Sequence, residues 1–319
     1  MKLDKEKLGE TFGNLANDAK KITENISGKT KEIVTKSKDK VVTTMDANGD
    51  GKIDVEDIII AGLKTPGIRI TRSEFLKKEF LKKYSEDVIT KAIESTPAKA
   101  GITVEEINPI ADNVITFERN CVTSLSTALS SPGGIAMAAT LPAEIIQYYG
   151  YLLRAAQKLM YLYGFPEIDI KEKGQTFDSE TLNILILCLG VMSGVTGANV
   201  AIRAMAKGFG KGLSKKIMST ALTKGTLYPL MKKIAKMFSV DLSKKMLSKA
   251  SKNIMPPIVT GIIGGGITYV SFKPCCDKLK ESLQDTLLSN PNHIETEDEN
   301  IIIDNVEFDV SEDKEKEML

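Results

Sequence analysis

From Leu182 to Ile202 the chain carries no charged side chain, and few folds accept so long an apolar run. Its backbone groups must be hydrogen-bonded wherever it is buried, so it is expected as a helix with apolar surroundings on every side. The length reaches the ~20 residues that span a bilayer. Gly190 and Gly194, with Gly197 a turn further on, have the spacing that lets helices approach closely, and the same geometry serves a tightly packed core. Burial is therefore expected over insertion. Two further apolar runs are present, and the second of them poses the same choice. The stretch 131–168 reads as a turn, an apolar run and a tyrosine-rich helix entered at Pro142 and left at Gly164 and Pro166. The stretch 254–272 contains Pro256, Pro257, Gly261, Gly264, Gly265 and Gly266. Glu144, the one early charge of the tyrosine-rich helix, invites a catalytic reading, but a carboxylate in a first turn faces the positive end of the helix dipole and needs no other purpose.

The rest of the chain is written in helical spacing. Leu8, Phe12, Leu15, Ala19, Ile22, Ile26 and Ile33 fall on one side of an amphipathic helix, which can lie on a membrane surface or wrap its own domain. Thr71 with Glu74, and Thr103 with Glu106, have the form of capping boxes. Leu76, Phe80 and Tyr84 make the stripe of the first helix they open, a short helix from Ser85 follows and closes at Pro97, and Pro109 is expected to kink the next. The expected fold is all-α, a multi-helix domain with glycine-rich apolar helices. It divides into an amphipathic segment (1–44), a helix-loop-helix (40–66), a helical domain (70–288) and an acidic tail (289–319) expected to be disordered.

One stretch specifies a chemistry by residue type and spacing together: 46–57, DANGDGKIDVED. Asp46, Asn48 and Asp50 stand at alternate positions, Gly51 supplies the sharp turn after them, and Lys52 offers its backbone carbonyl. Asp54 takes the ninth position, where a water often mediates, and Asp57 closes the loop. This resembles an EF-hand, and the resemblance implies calcium as cofactor with Asp46, Asn48, Asp50, Lys52 and Asp57 as ligands. Asp57 departs from the usual bidentate Glu, so weaker or more magnesium-tolerant binding is expected. Val41, Val42 and Met45 before the loop, with Val55, Ile58, Ile59, Ile60 and Leu63 after it, suit the flanking helices. No second loop of this kind is present in the sequence. The plain alternative is a polar turn between two helices.

The formal net charge of +1 hides a strong asymmetry. Between Arg203 and Lys252 the only acid is Asp241, while lysines recur from Lys207 to Lys252 on a helical pattern whose apolar side includes Leu222, Leu230 and Ile234. Nucleic acid would call for arginine and exposed aromatics beside lysine, so an anionic membrane surface is the better partner, and nucleic acid is not expected. A solvated basic face is the alternative. After His293 the sign reverses in a run of acids.

Cys121, Cys188, Cys275 and Cys276 show no CxxC spacing, which favours a reduced intracellular compartment. Met1 to Lys7 is charged and no apolar core follows, so no export signal is expected. With His293 the only histidine, and with no GxSxG, complete P-loop or HExxH, the sequence argues against an enzyme. Adjacent Cys275 and Cys276 suit small apolar residues near a helix end better than a redox pair.

From Arg72 through Leu279 the chain resembles the EcsC family of bacterial proteins. The resemblance is carried by the PGG turn at Pro132, LPAEI at Leu141, LYG at Leu162 and PPIVTGIIGGGITY from Pro256. It implies a helical domain near bacterial membranes, with a membrane transport protein as a further candidate partner, and with the cysteine and leader readings the expected place is the cytoplasm, at the inner face of the cell membrane. It brings no catalytic residues. The leading reading is thus a calcium-binding, membrane-associated helical protein that acts by lipid or membrane-protein interaction. An acidic-residue hydrolase or lipid-modifying enzyme, and a soluble interaction module with a glycine-rich helical core, are the alternatives.

Overall fold

In the computed structural model the described residues are 46, 47, 49, 54–130, 134–168, 172–173, 176–214, 218, 222, 227–236, 257–290, 292–300 and 302. They belong to one unit, 45–319, distinct from 1–44. The amphipathic helix expected over 1–44, the residues expected to lead into the loop and the PGG turn at Pro132 all lie outside the described residues.

The fold is all-α, as the apolar spacing predicts. The helices run in the order α1 (Val55–Lys64), α2 (Arg72–Phe80), α3 (Glu86–Glu94), α4 (Val104–Ser130), α5 (Gly134–Leu162), α6 (Ser179–Met192), α7 (Ala198–Gly210) and α8 (Pro257–Gln284). Between α5 and α6 a two-residue antiparallel ladder pairs β1 (Glu172–Lys173) with β2 (Thr176–Phe177). Helix α5 is the hub, packed against α1, α2, α4, α6 and α8. That explains its composition, because Leu153, Ala155, Ala156, Leu159, Met160 and Tyr161 are buried on nearly every side.

Three consecutive isoleucines in α1 have the same cause. Ile58, Ile59 and Ile60 are all buried, with Val55 and Leu63, because α1 is wedged against both α5 and α6. The helix then stops at Thr65, ahead of Pro66 and Gly67.

The apolar run 182–202 is two helices. The chain breaks between α6 and α7 at Gly194 and Gly197, whose φ angles of 74° and 91° lie in the left-handed region that side chains disfavour. Among the described residues no helix is long and apolar enough to cross a membrane. The third run enters α8, where Pro257 sits at the first helical position and needs no N–H partner. Helix α8 packs antiparallel along α4, with Thr268 Oγ1 3.2 Å from Ser126 Oγ and Lys280 paired to Asp112 at 2.7 Å. Gly265 permits this approach. A Cβ there would collide with the Thr127 side chain.

Four expectations need correction. Helix α5 begins at Gly134, so Pro142 lies inside it and not at its entry, and Glu144 sits far past the first turn. The side chain of Glu144 is buried within the bundle, and the helix dipole does not account for it. Thr71 makes no side-chain cap. The start of α2 is served instead by Glu167, which accepts the Arg72 N–H at 3.1 Å. Thr103 makes half a box, its N–H donating to Glu106 Oε2 at 3.2 Å.

Arg72 closes this corner of the bundle. Its buried guanidinium donates to the carbonyls of Phe165 at 3.0 Å, Ala92 at 3.1 Å and Ser95 at 3.0 Å, and also to that of Ile93. The carbonyls of Ala92 and Ile93, which the end of α3 leaves without internal donors, are thus satisfied by one side chain.

Candidate metal site

The loop ahead of α1 is drawn shut by Asp57. Its Oδ1 accepts the Ala47 N–H at 2.9 Å and its Oδ2 accepts the Asp54 N–H at 2.9 Å, so the twelfth residue reaches the second and the ninth. At the entry, Asp46 Oδ1 accepts the Gly49 N–H at 2.7 Å and turns the chain. Asp54 is the N-cap of α1, its side chain accepting the Glu56 N–H at 2.8 Å, and Asp57 completes the capping box. The Asp57 side chain is wholly buried.

The described part of the loop therefore brings its first and last carboxylates to the two ends of one closed turn. Both are hard oxygen donors of the kind calcium takes. Asn48, Asp50 and Lys52, the other three expected ligands, lie outside the described residues. Among the described residues no group of three or more His, Cys, Asp or Glu converges as a metal set. The donor types fit an oxygen-ligated cation. Asp57 would also serve α1 without one, because its capping contact is complete by itself.

Two further charge clusters are in place that sequence reasoning missed. In the seam of α4 and α5, Glu118 has no exposed side-chain surface, and its Oε1 lies 2.5 Å from Lys158 Nζ and 3.3 Å from Arg154 Nε. Lys158 also sits over the rings of Phe75 and Phe117, at 5.5 and 5.7 Å. The available signal was Arg154 and Lys158 themselves, two cations one turn apart in a mostly apolar helix. At the far end of α8, His293 lies between Asp285 and Glu299, each 3.0 Å from one ring nitrogen. The acidic segment thus begins inside the fold, and its first residues, 292–300, are placed against the bundle by named contacts. A cleft of about 550 Å³ beside them is lined by Thr103, Glu105, Asn108, Asp285, Ser289 and Asn290.

The cysteines are free thiols. Burial pushes the Cys188 thiol up to about 12 and raises Cys276 well above its ordinary value, so both stay protonated at neutral pH. Within the basic block Lys207 departs from the expected solvated face. It is buried and paired with Glu295 at 2.6 Å, while Lys211, Lys232, Lys233 and Lys236 are exposed.

Comparison of the chain with protein-family models, with curated proteins and with solved structures finds no match. The EcsC and EF-hand resemblances therefore rest on the motifs quoted for them.

Proposed function

We propose that the chain is a non-catalytic, calcium-binding helical protein that attaches to anionic membrane surfaces. The observation that carries the reading is a group of large apolar side chains turned outward on α8. Val270 is 72% exposed and Ile267 58%, with Tyr269 between them. Apolar side chains of this size gain from leaving water, and aromatics beside cations suit the boundary between lipid and water. Arg119 of α4 supplies such a cation, its guanidinium 4.1 Å from the centre of the Tyr269 ring. Exposed lysines at 211, 232, 233 and 236 add the electrostatic attraction to anionic lipid. The loop closed by Asp57 supports the calcium part of the reading, since its last carboxylate lies in the first turn of a core helix. The resemblance to the EcsC family points to the same setting.

The test is sedimentation with liposomes of anionic and of neutral lipid, with and without calcium. Binding to anionic liposomes that weakens with salt, and that falls in Val270→Asp, is expected. Equal retention on both lipids, unchanged by salt, would overturn the electrostatic account, and retention on neither would overturn the membrane reading. The same patch favours a second reading, an interaction module whose α8 face docks on a protein. No sedimentation with either lipid, together with an unchanged circular dichroism spectrum for Val270→Asp, would favour it.

A further inference from the structure

The segment 292–300 is held to α7 and to the end of α8 by charge contacts that close on one another. The His293 side chain is 2% exposed, with Nδ1 3.0 Å from Asp285 Oδ1 and Nε2 3.0 Å from Glu299 Oε2. Glu299 is equally buried, and its Oε1 has no hydrogen-bond partner among the described residues. From α7, Lys207 reaches Glu295 at 2.6 Å and also meets Asn300 Oδ1.

An ionised carboxylate only accepts hydrogen bonds, whereas a neutral imidazole has a single N–H. A ring that faces an ionised carboxylate at each nitrogen keeps both bonds only as the imidazolium. We propose that residues 292–300 are a pH-gated clasp, closed while His293 is protonated and opened when the ring loses its proton. On deprotonation one carboxylate faces a lone pair. If that is Glu299, a buried charge is left uncompensated, which is the costly way to break such a pair.

The groups acting on His293 are Asp285 from the end of α8 and Glu299 from the segment itself, with Glu295 close by. Arg203 of α7 acts on Asp285, and Lys207 and Lys211 act on Glu295. Burial alone favours the neutral ring, but the hydrogen bonds to Glu299 and Asp285 outweigh it, and the pKa is raised. The stabilisation is thus fully present below the unfolded histidine value of about 6.5, and it is lost as pH rises through the higher folded value. Asp285 sets the acid limit. Its bond to His293 holds it below the usual carboxylate range, so its share is lost as pH falls through that lowered value. Opening would return Lys207 to water and add it to the basic face. That consequence rests on the membrane reading, whereas the clasp does not.

The chain has one histidine, so a single imidazole signal in the NMR spectrum of the full chain reports its titration. Hydrogen exchange of the peptide 292–302, corrected for the intrinsic rate, reports closure. The ring is expected to titrate above about 6.5, with protection of 297–300 falling about tenfold or more across that titration. His293→Gln should show low protection without the pH step. Lys207→Met should weaken protection and keep the step. A ring that titrates at or below the ordinary value, or protection unchanged across its titration, overturns the proposal. Neither readout involves lipid, so a failed liposome experiment leaves the clasp standing, and a failed titration leaves the membrane reading standing.

Discussion

Glu118 Oε1 and Lys158 Nζ meet at 2.5 Å in the closed seam between α4 and α5, where Arg154 adds a second cation to the same oxygen. Removing one partner of a buried ion pair leaves the other uncompensated. Glu118→Gln is therefore expected to destabilise the protein by about 3 to 5 kcal/mol, read from urea unfolding. Adding Lys158→Met should recover much of the loss. A single variant as stable as wild type would mean that the seam is open to water.

Arg72 is expected to matter as much without touching any charge cluster, because its guanidinium takes the carbonyls of Ala92 and Ser95 at the end of α3 and ties them to Phe165. Arg72→Met strands several buried carbonyls, at an expected cost of about 3 kcal/mol in thermal unfolding. Arg72→Lys should restore little, since an ammonium cannot fork between carbonyls. Full rescue by lysine would show that charge, and not geometry, is what the site needs.

How much of this was readable in advance depends on how far apart the partners lie. Helices α1 to α4 were readable because apolar spacing and breakers such as Pro66 and Pro97 act within a turn or two. The start of α5 was not, since a proline commonly marks a first turn and Pro142 sits inside the helix. Glu118 finds Lys158 across 40 residues, and Arg72 finds Phe165 across 93, so no local spacing announces either. His293 failed differently. Its partners Asp285 and Glu299 are near in sequence, but the acids after it read as a disordered tail, and only the packing against α7 and α8 shows that His293 and Glu299 turn inward.

The α4–α8 seam gives a steric prediction. Gly265→Ala drives a methyl group into Thr127, and overpacking of this kind costs about 1 to 3 kcal/mol. Thr127→Ala in the same background should recover most of it. A double-mutant cycle with no coupling between the two positions would show that the helices are further apart in solution.

The calcium loop separates into two roles. Asp46→Ala should abolish the heat of calcium binding at millimolar ion, the range of the weakest sites, while leaving the stability of the ion-free protein nearly unchanged. Asp57→Asn should lose the heat and also about 1 to 2 kcal/mol of ion-free stability, because one of its two amide contacts would face an N–H donor. Equal calcium heats for wild type and Asp46→Ala would reduce the loop to a turn.

The pairing of Ser126 with Thr268 joins positions 142 residues apart. A ribosome delivers α4 long before α8, so during synthesis the face of α4 that holds Ser126 and Thr127 waits for its partner until the 142 residues from Ser126 to Thr268 have been added. Closing so long a loop is entropically slow, and a half-made chain exposes that face to other chains. The small and hydroxylated side chains that let α8 approach so closely also make this waiting face less adhesive than a leucine-lined one, and the final fitting of the α4 seam falls to a helix made long after it.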